Sequence, residues 1–86
     1  MSRRDRIFQI LTENFQPSLI DVVDDSARHA GHAGASDAGE THYNVKIVSA
    51  RFDGLSRVAM QREIMQALAA EFESGLHALS IKASAL

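Results

Sequence analysis

The chain contains no cysteine. No disulfide framework, thiolate nucleophile or Cys-ligated zinc site can form within it, so redox chemistry would need a partner's sulfur. An excess of positive charge is missing too. The 9 Lys+Arg and 11 Asp+Glu leave a net charge of -2, without the broad basic footprint that drives non-specific nucleic-acid binding. Long hydrophobic runs are absent: no stretch approaches the ~20 apolar residues of a membrane span, and residues 1–10 lack the apolar segment of a secretory signal. A cytoplasmic protein without a membrane partner is expected. Nothing resembles a nucleophile elbow, and no serine is placed beside a base. Asp24 and Asp25, adjacent at a strand end, point to opposite faces and make a poor acid–base pair. The expectation is a non-enzyme without a small-molecule substrate.

What is present suits one small domain spanning residues 1–86, since 86 residues support a single core. Ile7, Leu11 and Phe15 recur at helical spacing, with Ser2 as cap and Asp5 in the first turn. Pro17 ends that helix near Phe15. Leu19–Val23 is β-branched and reads as a strand. Residues 26–41, SARHAGHAGASDAGET, have neither period and form a loop longer than usual for so small a domain. From His42 to Ser49, Tyr43, Val45 and Ile47 alternate with His42, Asn44 and Lys46, the pattern of a half-buried strand. After Phe52-Asp53-Gly54, Ser56 caps a second helix predicted to run to about Glu73. Its apolar face holds Ile64, Met65, Leu68 and Phe72, and Gln61 projects toward that stripe. Gly75 ends it, and His77–Ala83 alternates again. The expected fold is α+β, ordered α-β-β-α-β. A hairpin and a right-handed crossover make a three-stranded mixed sheet covered on one face by two helices.

That topology brings the histidines together. The second and third strands are parallel and start at one edge, where the first loop also opens. His29 and His32 lie in the loop, His42 begins the second strand and His77 the third. Neutral imidazole is the commonest metal ligand and suits zinc and iron. Spacing alone leaves ligation and ordinary solvation both open. A second candidate is the entry to helix two, where Arg51, Arg57 and Arg62 surround a turn and a helix N-terminus able to hold a phosphate backbone. A solvated helix start is the competing reading.

Several segments together resemble the BolA family over nearly the whole chain. They are Val23-Asp24-Asp25-Ser26 through His29-Ala30-Gly31-His32, Glu40-Thr41-His42-Tyr43, Ile47-Val48-Ser49, Phe52-Asp53-Gly54, Ser56-Arg57-Val58 and His77-Ala78-Leu79-Ser80-Ile81. The resemblance implies a BolA-like fold similar to the class II KH arrangement. It also implies a partner of monothiol glutaredoxins that shares a bridging 2Fe-2S cluster, in iron-sulfur trafficking or iron and redox regulation. The family's C-terminal histidine matches His77, and the second ligand would come from the loop, as His29 or His32. The glutaredoxin and its glutathione would supply sulfur, and the chain alone would hold no cluster. The family's alternative role, a DNA-binding transcriptional regulator, would use the loop and the start of the second helix. There the common Arg-His-Arg is replaced by Met60-Gln61-Arg62, which weakens that alternative.

Overall fold

A hydroxyl starts each long helix. The computed structural model describes residues 2–24 and 42–85. Helix α1, Arg3–Phe15, begins where Ser2 Oγ accepts the Asp5 N–H at 3.1 Å. It buries Ile7, Leu11 and Phe15 on one stripe. It ends at Gln16, which adopts a left-handed conformation (φ 46°) with its N–H on the Thr12 carbonyl, and Pro17 prevents continuation. Helix α2, Arg57–Ala67, starts in the same way, with Ser56 Oγ accepting the Ala59 N–H at 3.1 Å.

Strands β1 (Leu19–Asp24), β2 (His42–Val48) and β3 (Ala78–Ser84) form one sheet in the order β1-β2-β3. The first pair is antiparallel, with Val22 opposite Val45, and the second is parallel, with Val45 opposite Ile81. The alternation expected for residues 42–48 holds from Tyr43 onward, with Tyr43, Val45 and Ile47 buried and Asn44 and Lys46 exposed, but His42, expected on the face of Asn44 and Lys46, is buried at the start of the strand. Helix α1 packs over β1 and α2 over β3, closing a core that includes Ile7, Leu11, Val22, Ile47, Phe52, Ile64 and Leu68. On the opposite sheet face Leu19 and Val23 remain exposed beside Lys46 and Lys82.

Four other expectations are corrected. The second helix does not run unbroken to Glu73. It is interrupted at Leu68 (φ -102°, ψ 13°) and resumes as α3, Ala69–Glu73, so three helical segments stand where two were expected. Both Leu68 and Glu71 are thereby buried. Met65, assigned to the apolar face, is 41% exposed; the core-facing stripe is made by Ile64 and Leu68, with Met60, Ala67 and Phe72 partly buried beside them. Gln61, expected to project toward the apolar stripe, is exposed and lines a cavity beside β3. The third strand starts at Ala78, leaving His77 just ahead of it. A short 3-10 turn, Ala50–Phe52, also follows β2 and delivers Phe52 onto Phe15, with ring centroids 5.0 Å apart.

Candidate functional site

The chain enters β3 through a tightly specified turn. After α3, the Gly75 N–H reaches the Phe72 carbonyl (3.4 Å) and the Leu76 N–H reaches the Glu71 carbonyl (2.9 Å). This paired arrangement closes a helix through a residue of positive φ. Gly75 supplies that residue at φ 131°, and Leu76 follows, buried in the core. His77 is the next residue and is exposed.

The turn is clamped from the other end of the chain. Arg3 Nη1 donates to the Glu71 carbonyl (3.0 Å), Glu71 Oε1 (3.0 Å) and Ser74 Oγ (2.8 Å), and Nη2 donates to the Ser74 carbonyl (3.1 Å). Arg6 adds a second cation 3.1 Å from Glu71 Oε1. Arg3 and Glu71 are both buried, so a charge-assisted network takes the place of apolar packing under the turn. Neither residue is evident as a site residue in sequence, because 68 positions separate them.

His77 meets His42 at the start of the sheet. Their ring centroids are 5.4 Å apart and tilted by 51°, and His42 pairs with Ala78 across the β2–β3 ladder. A metal bound to one nitrogen of each of two imidazoles lies about 3.2 Å from each ring centre, so tetrahedral geometry spaces the centroids about 5 Å apart. The observed pair fits that spacing. Among the described residues no group of three or more His, Cys, Asp or Glu could hold a metal ion, so these two imidazoles need further donors. The sequence puts His42 at this edge without assigning it a role; its position as the first residue of the alternating strand is the available signal.

The last rung of β1, Asp24 opposite Tyr43, lies at the same edge of the sheet as His42 and His77. His29 and His32 lie outside the described residues.

The three arginines do not form one patch. Arg51 donates to Gln16 Oε1 (3.2 Å) and lines a cavity with Phe15, Phe52 and Glu63. Arg57 lines a different cavity, with Lys46 and Lys82. Arg57 and Arg62 are five residues apart on α2, which turns their side chains about 140° from each other. No helix among the described residues is long and apolar enough to cross a membrane.

Comparison with known proteins agrees with this architecture. The family model described as BolA-like protein matches residues 11–86. The chain is 42% identical over 87 residues to the UV-induced protein uvi31 of Schizosaccharomyces pombe, covering 98% of this chain and 85% of that protein. It is 40% identical over 81 residues to the DNA-binding transcriptional regulator BolA of Escherichia coli, covering 94% of this chain and 73% of that protein. Among solved structures, the BolA domain of SufE1 from Arabidopsis thaliana superposes with a TM-score of 0.89 at 45% identity, covering 99% of this chain and 93% of that one.

Proposed function

From the premise that this chain belongs to the BolA-like family, we propose that it is a non-enzymatic adaptor that binds a monothiol glutaredoxin and shares a bridging 2Fe-2S cluster with it. The compartment proposed is the cytoplasm, and the role is iron-sulfur trafficking or iron and redox regulation. One observation carries the reading. An exposed His77, held by a clamped turn, lies in ring contact with His42 at the edge where β1 ends and β2 begins.

His77 is the anchoring ligand in this reading, and His29 or His32 is the second, with His42 as a further imidazole within reach. The chain has no thiolate, so sulfur comes from the glutaredoxin and its glutathione. Imidazole in place of thiolate on one iron raises a cluster's reduction potential, which suits transfer or sensing. The role of Arg3 and Glu71 is to fix the backbone just before His77, so the imidazole is presented without first ordering a loop.

The test is a titration of the protein with a cluster-loaded monothiol glutaredoxin, followed by visible absorption and circular dichroism. The expected result is a changed spectrum that His77→Ala abolishes, while single alanine changes at His29, His32 and His42 identify the second ligand. An unaltered spectrum with the wild-type chain overturns the proposal.

A second reading, a DNA-binding regulator, is favoured by the name of the Escherichia coli relative. It predicts duplex affinity that falls steeply with salt and drops in Arg57→Ala or Arg62→Ala. Absence of binding at physiological salt removes it.

A further inference from the structure

The far half of β3 has a feature that the histidine edge does not use. Ser49 N–H donates to the Ser84 carbonyl at 3.0 Å, so the backbone groups of Ser84 face β2. Both backbone groups of a strand residue point the same way, and successive residues alternate. Ser80 and Lys82 therefore also face β2, while Leu79, Ile81 and Ala83 turn their N–H and C=O groups toward the free edge. Among the described residues no hydrogen bond meets these outward groups.

A cavity of about 430 Å³ runs along this edge. Ile81 to Ser84 line it, with Arg57 and Gln61 of α2 on one side and Lys46 of β2 on the other. Three cationic side chains face the cavity and no acid lines it. Lys46 and Lys82 are opposite one another across the parallel ladder, an arrangement of like charges that is unfavourable without an anion nearby. Asp21, opposite Lys46 on β1, lines the adjoining cavity on the open sheet face. No ion pair engages Lys46, Lys82 or Arg57 among the described residues.

From this we infer that the free edge of β3 is a docking site for an extended acidic segment of a partner protein. The segment adds a strand beside Leu79, Ile81 and Ala83 and sets its carboxylates against Lys82, Arg57 and Lys46. Strand addition draws affinity from main-chain hydrogen bonds and specificity from side chains along the edge. A second copy of this chain is a poor occupant, because its β3 segment, Ala78–Ser84, carries a lysine and no carboxylate to answer Lys82, Arg57 and Lys46. A nucleic-acid strand answers the cations but cannot continue the alternating ladder of donors and acceptors. The cationic cavity lies toward the end of β3 away from His77 and no histidine lines it, so the inference stands independently of the cluster proposal.

The experiment titrates the isotopically labelled full chain with a blocked peptide of about six residues, enough to span β3, alternating glutamate and valine. A lysine–valine peptide and an oligothymidylate serve as comparisons. The expected result is saturable binding of the acidic peptide alone, with hydrogen-exchange protection gained at the Leu79, Ile81 and Ala83 amides. Ala83→Pro removes an outward donor at an edge position where proline is tolerated, and abolishes that protection. Lys82→Glu, a surface change that leaves the core intact, weakens binding about tenfold, the loss expected for one charge-assisted contact. The inference is overturned if the acidic peptide does not bind, if the lysine peptide binds equally or if Lys82→Glu has no effect. Oligothymidylate as the preferred ligand, or full retention of peptide binding by folded Ala83→Pro, overturns it as well.

Discussion

Arg3 and Glu71 meet at 3.0 Å, joining the first turn of α1 to the last helix before β3. Their contact explains how an exposed histidine one residue past a glycine turn can have a defined position. Arg3 fills four acceptors on Glu71 and Ser74, so the turn leading to His77 is held by a side chain from the opposite end of the sequence.

Arg3→Ala is expected to lower stability by about 3 kcal/mol, because among the described residues it leaves the buried Glu71 carboxylate with Arg6 as its one cationic partner. Urea denaturation measures this as a lower midpoint with an unchanged slope. Arg3→Lys recovers only part of the loss, since an ammonium cannot reproduce the guanidinium fork. If the amide resonances of residues 75–78 do not move in Arg3→Ala, the clamp does not position His77.

Gly75→Ala is expected to cost about 1–3 kcal/mol, because an L side chain is strained at φ 131°. The new Cβ would also stand 3.0 Å from Arg3 Nη2. In the double variant with Arg3→Ala the collision disappears while the backbone strain persists. The two losses in thermal unfolding should therefore sum to more than the double variant shows.

His77→Ala should shift the ring-proton resonances of His42, since the two rings lie 5.4 Å apart. The same change should leave Phe52 untouched, because that ring packs on Phe15 in the core. A His42 spectrum indifferent to the substitution would show that the pair does not persist in solution.

Ser49 is fully buried, donates its hydroxyl to the Phe15 carbonyl and accepts the Arg51 N–H at 3.1 Å. Ser49→Ala removes both bonds at once and should destabilise by about 1–3 kcal/mol. Equilibrium unfolding checks this, and a near-neutral result would mean that water replaces the hydroxyl.

Asp5 carries the one pH expectation. Hydrogen bonding from Ser2, then from Arg4, holds its carboxyl below the usual carboxylate value. A group whose folded pKa is lowered adds stability above its unfolded pKa, and that contribution disappears as pH falls through the folded value. Wild type and Asp5→Asn should therefore differ in melting temperature at neutral pH and converge in acid. The difference is small, because the group is fully exposed.

Much of the architecture is legible along the chain. The spacing of Ile7, Leu11 and Phe15, the alternation from Tyr43 to Ile47 and the caps Ser2 and Ser56 depend on neighbours within a turn or a strand. The break at Leu68 leaves no such mark: the stretch Gln66 to Glu73 contains neither glycine nor proline, and its apolar spacing suits one continuous helix. The interruption follows from a long-range demand, since α3 must present Glu71 to Arg3 while Leu68 stays in the core. The same limit applies to the arginines. Their grouping in sequence suggested one basic patch, but helix rotation and the Arg51–Gln16 bond distribute them over separate surfaces.

Local chemistry alone determined the order of the long elements, the alternation of Tyr43, Val45 and Ile47 and the absence of any thiol, because periodicity, capping and composition are properties of adjacent residues. Tertiary structure decided that His42 and His77 come into ring contact, that Arg3 closes the turn before His77, and that three cations line the free edge of β3. Those relations join residues tens of positions apart. They arise only when the parallel crossover and the packing of α1 against the sheet bring the ends of the chain together.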